Sequence, residues 1–302
     1  EMSASLVGSE MCIRDSYSTT RVTRGDGDYA LMQNAWNAQW SHNRYRAYYP
    51  WTIGGAVWSM YDYNRGCCDN ICYSGLADLF RLPKFGLLYF RTQMKEGTFT
   101  PAGPMTYEVF INSHWLEGSS DTLQVYGNVD EVKLQLNGRV IARQYPDDKP
   151  STSEYVSRPD GGNAENIDFP PFTFFNVNWE RGELKAIGYK DGKAVAEHVV
   201  RTPGAVEAMD ITYFESGVSA SCRDLLIVYV NLKDLQGTGC FGENNREVKL
   251  EVLQGGELRG PATIKAEAGV ASFLVATTDS PMLVLKAVSG NLETMRKLKL
   301  KK

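Results

Sequence analysis

The sequence predicts a mainly β fold, in which a remnant of the end of a (β/α)8 barrel is followed by two Ig-like β-sandwich domains. Two patterns support this: a helix, an apolar run and a second helix come first, and short β runs separated by tight turns follow. We expect the barrel piece over residues 17–96, the first sandwich over 97–204 and the second over 205–302.

The barrel piece opens with a predicted helix over residues 26–44. Asp26 and Asp28 lie near its start, where the helix dipole favours negative charge. Apolar residues at three- and four-residue steps give it one apolar face: Tyr29, Met32, Trp36 and Trp40.

An apolar run without alternation follows over residues 51–58, and such a run is typical of a strand buried on both faces in a parallel sheet. A long irregular loop leads to Pro83, and residues 84–94 are predicted to form the second helix. In a (β/α)8 barrel, a loop in this position lies on the catalytic face.

Short β runs dominate the rest of the chain, with Asn137-Gly138 and Asp191-Gly192 as tight turns. The basic run over 293–302 is either a solvated tail or an edge strand. In the first sandwich, strands are predicted over 106–112, 122–126, 132–136, 139–143, 172–177, 184–189 and 194–201. In the second, they are predicted over 208–214, 225–232, 248–253, 270–276 and 282–288.

Composition limits the function classes. The net charge of −4 and the lack of a basic run argue against nucleic-acid binding. The sequence also contains no run of 18 apolar residues, which is the pattern that would predict a membrane span. Cys67, Cys68 and Cys72 share one loop; a disulfide and free thiols are both open readings, and zinc is disfavoured because no histidine is near in sequence. No metal or other cofactor is expected.

Residues 1–16 are expected to be a non-native leader, because Glu10–Ser16 resembles a translated sequencing adapter. The compartment cannot be read from the sequence, although a periplasmic or extracellular location is favoured.

Several motifs occur in an order that resembles the family 2 glycoside hydrolases of the β-galactosidase type. The resemblance covers about residues 20–204, and it is looser over the last hundred. In the barrel piece it is carried by Gly54–Trp58, Asp62-Tyr63 and the segment Gly75–Lys84, which matches "G-L-x-D-x-x-R-x-P-K". In the first sandwich it is carried by Val125–Val132, Leu136–Gly138, Pro170–Phe174, Gly182–Tyr189 and Thr202–Gly204.

This resemblance implies retaining hydrolysis of β-linked carbohydrates by two glutamates, which in the family follow the fourth and seventh barrel strands. Both positions would precede Thr20, and no glutamate stands between Met11 and Lys95. We therefore expect the chain alone to be inactive. The resemblance also implies that Trp58 forms the floor under the sugar and that Asp62 either binds sugar hydroxyls or holds the loop together.

Other candidates have structural readings. His42 and His114 are expected to be structural or exposed, and His198 lies in a strand without a partner motif. Trp115 and Trp179 are expected to be exposed, where they contact either saccharide or the barrel. The alternative to a hydrolase is a non-enzymatic carbohydrate-binding or adhesion protein of Ig-like modules, which leaves the barrel-like segment unexplained. Among hydrolases, β-galactosidase, β-glucuronidase, β-mannosidase and galactan hydrolase all remain open.

Overall fold

The structure is a computed structural model that describes residues 21–52, 55–64, 71–100, 102–150 and 159–301. The chain divides into two compact units, one ending at Thr202 and the other beginning at Pro203. Mainly antiparallel β structure fills both units, as predicted. In the part of the chain that the structure describes, no helix is long and apolar enough to cross a membrane.

The described part of the first unit opens with a 3-10 turn and helix α1, and helix α2 comes later. Their bounds are Arg24–Asp26 for the turn, Asp28–Ala47 for α1 and Phe85–Thr92 for α2. Its strands are β1 Tyr63–Asn64, β2 Ile71–Cys72, β3 Phe99–Thr100, β4 Gly103–Pro104, β5 Val109–Ile111, β6 Leu123–Gly127, β7 Glu131–Leu136, β8 Arg139–Gln144, β9 Phe172–Phe174, β10 Glu183–Lys190 and β11 Lys193–Arg201.

Two antiparallel sheets form the sandwich of the first unit, with strand orders β5-β6-β9 and β11-β10-β7-β8. Their inner faces supply one apolar core that includes Val125, Leu134 and Phe172. The β7–β8 hairpin turns at Asn137 and Gly138, whose φ angles of 51° and 78° are those of a type I′ turn. The predicted turn is therefore confirmed.

The outer face of the β5-β6-β9 sheet is covered by helices α1 and α2. Tyr126, on that face, belongs to the same apolar cluster as Leu31 of α1 and Phe85 of α2. Beside this cluster, Gln124 Nε2 donates to Gln39 Oε1 of α1 at 3.2 Å. The helices and this sheet consequently share one buried interface.

The second unit is another two-sheet sandwich, with strand orders β12-β13-β17-β15 and β16-β14-β18-β19 around one core. The run over 293–302 supplies edge strand β19, as one of its two readings predicted. The strands are β12 Ala208–Tyr213, β13 Leu225–Lys233, β14 Glu247–Gln254, β15 Gly256–Leu258, β16 Thr263–Lys265, β17 Val270–Thr277, β18 Met282–Ser289 and β19 Leu292–Lys299.

The prediction of a buried strand over residues 51–58 is wrong. Its described residues form no strand, and Trp51 and Val57 are exposed. A strand buried on both faces needs a hydrogen-bonded neighbour on each side, and the described residues supply none here. The barrel origin of this segment stays a prediction. Tyr29 was also placed wrongly, since it is exposed whereas Met32 and Trp36 of α1 are buried.

Candidate functional site

Trp58 lies on the coil that precedes β1, with 47% of its surface exposed. Its ring meets the Tyr63 ring edge to face, with the centroids 6.0 Å apart. The backbone beside it is tied down, because Leu76 N–H donates to Ser59 O at 3.0 Å and Ser59 Oγ donates to Tyr61 O at 2.7 Å. The indole is therefore open to solvent on a fixed backbone.

Asp62, the second predicted site residue, is buried with only 4% exposed. Its Oδ1 accepts hydrogen bonds from Lys84 Nζ at 2.7 Å and from Gly75 N–H at 2.8 Å. The Lys84 ammonium also donates to Tyr73 O at 3.0 Å. This geometry fits the reading in which Asp62 holds the loop together, while its predicted contact with sugar stays untested.

The segment Gly75–Lys84 has a structural reason for its residue types. A Cβ at Gly75 would lie 2.2 Å from the backbone nitrogen of Asp62, so that no larger residue fits. Asp78 accepts from Arg24 Nε at 2.8 Å in a nearly buried ion pair and also from Leu82 N–H at 2.9 Å. The motif thereby fastens the loop to the turn before α1 and to the start of α2.

Because the Asp62–Lys84 ion pair is buried, the charged form of Asp62 depends on the Lys84 ammonium. Burial raises the pKa of Asp62 above its usual range, although the hydrogen bond and charge of Lys84 oppose the shift. A buried carboxylate without its cation is costly. Lys84 is therefore the group that makes an ionised Asp62 tolerable in this loop.

Asp28 has a larger role than its predicted position at a helix start. It accepts from Ser113 Oγ at 2.6 Å and His114 N–H at 2.8 Å, and its other oxygen lies 2.7 Å from His114 Nδ1. Burial raises the pKa of Asp28, but the hydrogen bonds and charge of His114 outweigh burial and lower it. No short-range pattern reveals a pairing across 86 residues.

The remaining candidates take part in packing. His42 Nδ1 lies 2.9 Å from the Tyr89 hydroxyl, and burial lowers the pKa of His42. Trp115 is fully buried in the sandwich core and Trp179 packs against that core. The expectation that these two tryptophans are exposed is wrong, because the Trp115 indole fills the interior between the sheets and the Trp179 indole is partly buried against the same core.

Two residues of the three-cysteine loop, Cys67 and Cys68, lie outside the described residues. Cys72 is buried, with its sulfur 3.3 Å from the Ser74 hydroxyl. Within the described ranges, no cluster of three or more His, Cys, Asp or Glu side chains could hold a metal ion.

Comparison with solved structures identifies the fold. The fold is similar to that of a β-glucuronidase from glycoside hydrolase family 2, with a TM-score of 0.67, 21% identity, and coverage of 90% of this chain and 27% of that one. A β-glycosidase from Bacteroides vulgatus gives a TM-score of 0.67 at 16% identity, with coverage of 87% of this chain and 33% of that one.

Sequence comparison adds the family. The chain is 31% identical over 258 residues to a β-galactosidase of Thermoanaerobacter pseudethanolicus, covering 80% of this chain and 32% of that protein. It is 27% identical over 207 residues to a β-glucuronidase of Formosa agariphila, covering 67% of this chain and 18% of that protein. A family model described as a domain of unknown function, DUF4982, matches residues 118–196.

The chain belongs to glycoside hydrolase family 2, of the β-galactosidase-like kind, and corresponds to a C-terminal part of such a protein. It spans about a third of the length of the β-galactosidase that it matches at 31% identity.

Proposed function

We propose that this chain is part of a retaining glycoside hydrolase that acts on β-linked carbohydrates, and that Trp58 is the floor on which the sugar packs. The observation that carries the proposal is a half-exposed indole on a backbone fixed by hydrogen bonds on its C-terminal side. A flat aromatic face suits the apolar C–H face of a pyranose, and saccharide sites combine such faces with a few polar groups.

Asp62 supports this role by position. Its carboxylate holds Gly75 and Lys84, and Gly75 opens the segment that hydrogen-bonds the backbone next to Trp58. Loss of Asp62 would therefore disturb the indole indirectly. The substrate is a β-linked glycoside, and galactosides are the first choice.

The chain alone is proposed to be inactive. Residues 12–95 contain no glutamate. Each described aspartate of that region is engaged within the fold: Asp26 with Thr23 N–H, Asp28 with His114, Asp62 with Lys84 and Asp78 with Arg24. A retaining hydrolase needs two carboxyl groups about 5 Å apart flanking the bond. That each of these carboxylates already has a partner within the fold supports the proposal.

The test uses a longer gene that encodes this sequence, together with this chain alone, on a panel of aryl β-glycosides. The longer protein should hydrolyse at least one member, and the chain alone none. In the longer protein, Trp58→Ala should lower kcat/KM by about tenfold to a hundredfold, equal to about 1.4–2.8 kcal/mol of transition-state binding.

Trp51→Ala is the matched control, because Trp51 is the same residue type seven positions earlier and is 90% exposed. It should leave kcat/KM unchanged. Turnover by the chain alone, or equal losses for the Trp51 and Trp58 variants, would contradict the proposal.

A further inference from the structure

A cavity lies within the first unit, between α2, β5 and β11. Its volume is about 430 Å³, which is within the size range of small-ligand sites. Apolar side chains of Leu88, Val109 and Phe110 line part of it. The polar part of the lining includes Arg91, Glu108, Glu197 and His198.

His198 presents one defined hydrogen-bonding group. Its Nδ1 accepts from Ile111 N–H at 3.2 Å, so in the neutral ring the proton resides on Nε2. Burial lowers the pKa of His198 to about 4, which keeps the ring neutral near pH 7. The Phe110 ring packs 5.2 Å from the imidazole, between centroids. A neutral N–H donor thus lies beside an aromatic face in the lining of the cavity.

The charges of the lining are balanced. Arg91 donates through Nε and Nη2 to Glu108 Oε1 at 3.1 and 2.6 Å. Glu197 points to the opposite face of β11 from His198, where its Oε2 accepts from Lys185 Nζ at 3.2 Å. The Glu108 carboxylate keeps a second oxygen as an acceptor, although its charge is already compensated. A charged ligand would have no uncompensated partner here, whereas a neutral ligand with hydroxyl groups could use both the Glu108 acceptor and the His198 donor.

We propose that this cavity is a saccharide-binding site, in which a neutral pyranose places its apolar face toward Phe110 and hydrogen-bonds to His198 Nε2 and Glu108. Hydroxyl groups suit this lining because each one both donates and accepts. The site lies in the sandwich and does not depend on the proposed hydrolase role of Trp58.

The experiment is saturation-transfer NMR on the full 302-residue chain with the methyl β-glycosides of galactose, glucose and mannose as probes. At least one probe should bind. His198→Phe keeps the ring but loses the N–H donor, and Glu108→Ala removes an acceptor; each should weaken binding by about threefold to tenfold. Because His198→Phe also deprives Ile111 N–H of its acceptor, the Glu108 variant tests the site with less risk to folding.

Glu183→Ala is the matched control, because Glu183 forms a similar ion pair with Arg201 in the same sandwich but does not line the cavity. It should leave probe binding unchanged. The proposal is overturned if no probe binds, or if the Glu108 variant binds the probes like the Glu183 control.

Discussion

Replacing Lys84 by methionine should destabilise the first unit strongly. The Lys84 side chain is fully buried, and its ammonium lies 2.7 Å from Asp62 Oδ1. Methionine keeps a similar apolar length but leaves the Asp62 carboxylate buried without a cation and Tyr73 O without this donor. Removing one partner of a buried ion pair costs about 3–5 kcal/mol. A loss of that size is a large fraction of the stability of an ordinary domain.

Urea unfolding followed by tryptophan fluorescence measures this loss selectively. All six tryptophans lie at or before residue 179, so the signal reports the first unit alone. The expected result is a lower transition midpoint at an unchanged slope. The deficit should shrink as the pH falls, because the raised folded-state pKa of Asp62 means that the folded state takes up the proton more readily than the unfolded chain.

A double variant separates the ion pair from simple packing. Asp62→Asn keeps an oxygen for Gly75 N–H and removes the charge, so Asp62→Asn/Lys84→Met should be more stable than Lys84→Met alone. The reasoning is refuted if Lys84→Met costs less than about 1 kcal/mol, or if the double variant is the less stable of the two.

Three further predictions concern stability. Burial raises the pKa of Asp147 to about 6 from 3.8, so ionisation of Asp147 lowers stability as the pH rises through that window; Asp147→Asn should unfold at higher urea than the parent at pH 8 and lose this advantage at pH 4. Gly75→Ala should cost about 2 kcal/mol or more in the same assay, because its Cβ meets backbone at 2.2 Å; a neutral result would show that the loop can move aside. Trp58→Ala should cost less than about 1 kcal/mol, whereas Trp36→Ala in the core should cost about 3–5 kcal/mol; equal losses would make Trp58 a core residue.

Local patterns predicted the sandwiches well, since alternation and tight turns are properties of neighbouring residues. The Asn137-Gly138 hairpin is an example, because both residues adopt the positive φ that the turn requires. The fully buried Trp115 was misjudged, because a lone tryptophan between turns carries no periodicity to show which way it points. Sequence alone cannot predict such placement, since it is decided by the packing of two sheets.

The site was predictable only as a list of residues. The spacing of Gly75, Asp78 and Lys84 marked a motif, but it did not reveal that Asp62 and Arg24 are their partners. The same holds for Asp28 and His114, which lie 86 residues apart. Ion pairs of this kind join residues that are far apart in the chain, and a single sequence carries no signal for such pairings.

The interface that α1 and α2 form with the β5-β6-β9 sheet limits how this protein can be cut and recombined. A hybrid protein joined at residue 97 would expose Tyr126 and the amide of Gln124 to water, and it would leave the apolar faces of both helices uncovered. A join between Thr202 and Pro203 falls at the boundary between the two compact units. Gene fusions that exchange modules should therefore carry the helices and the first sandwich as a single cassette.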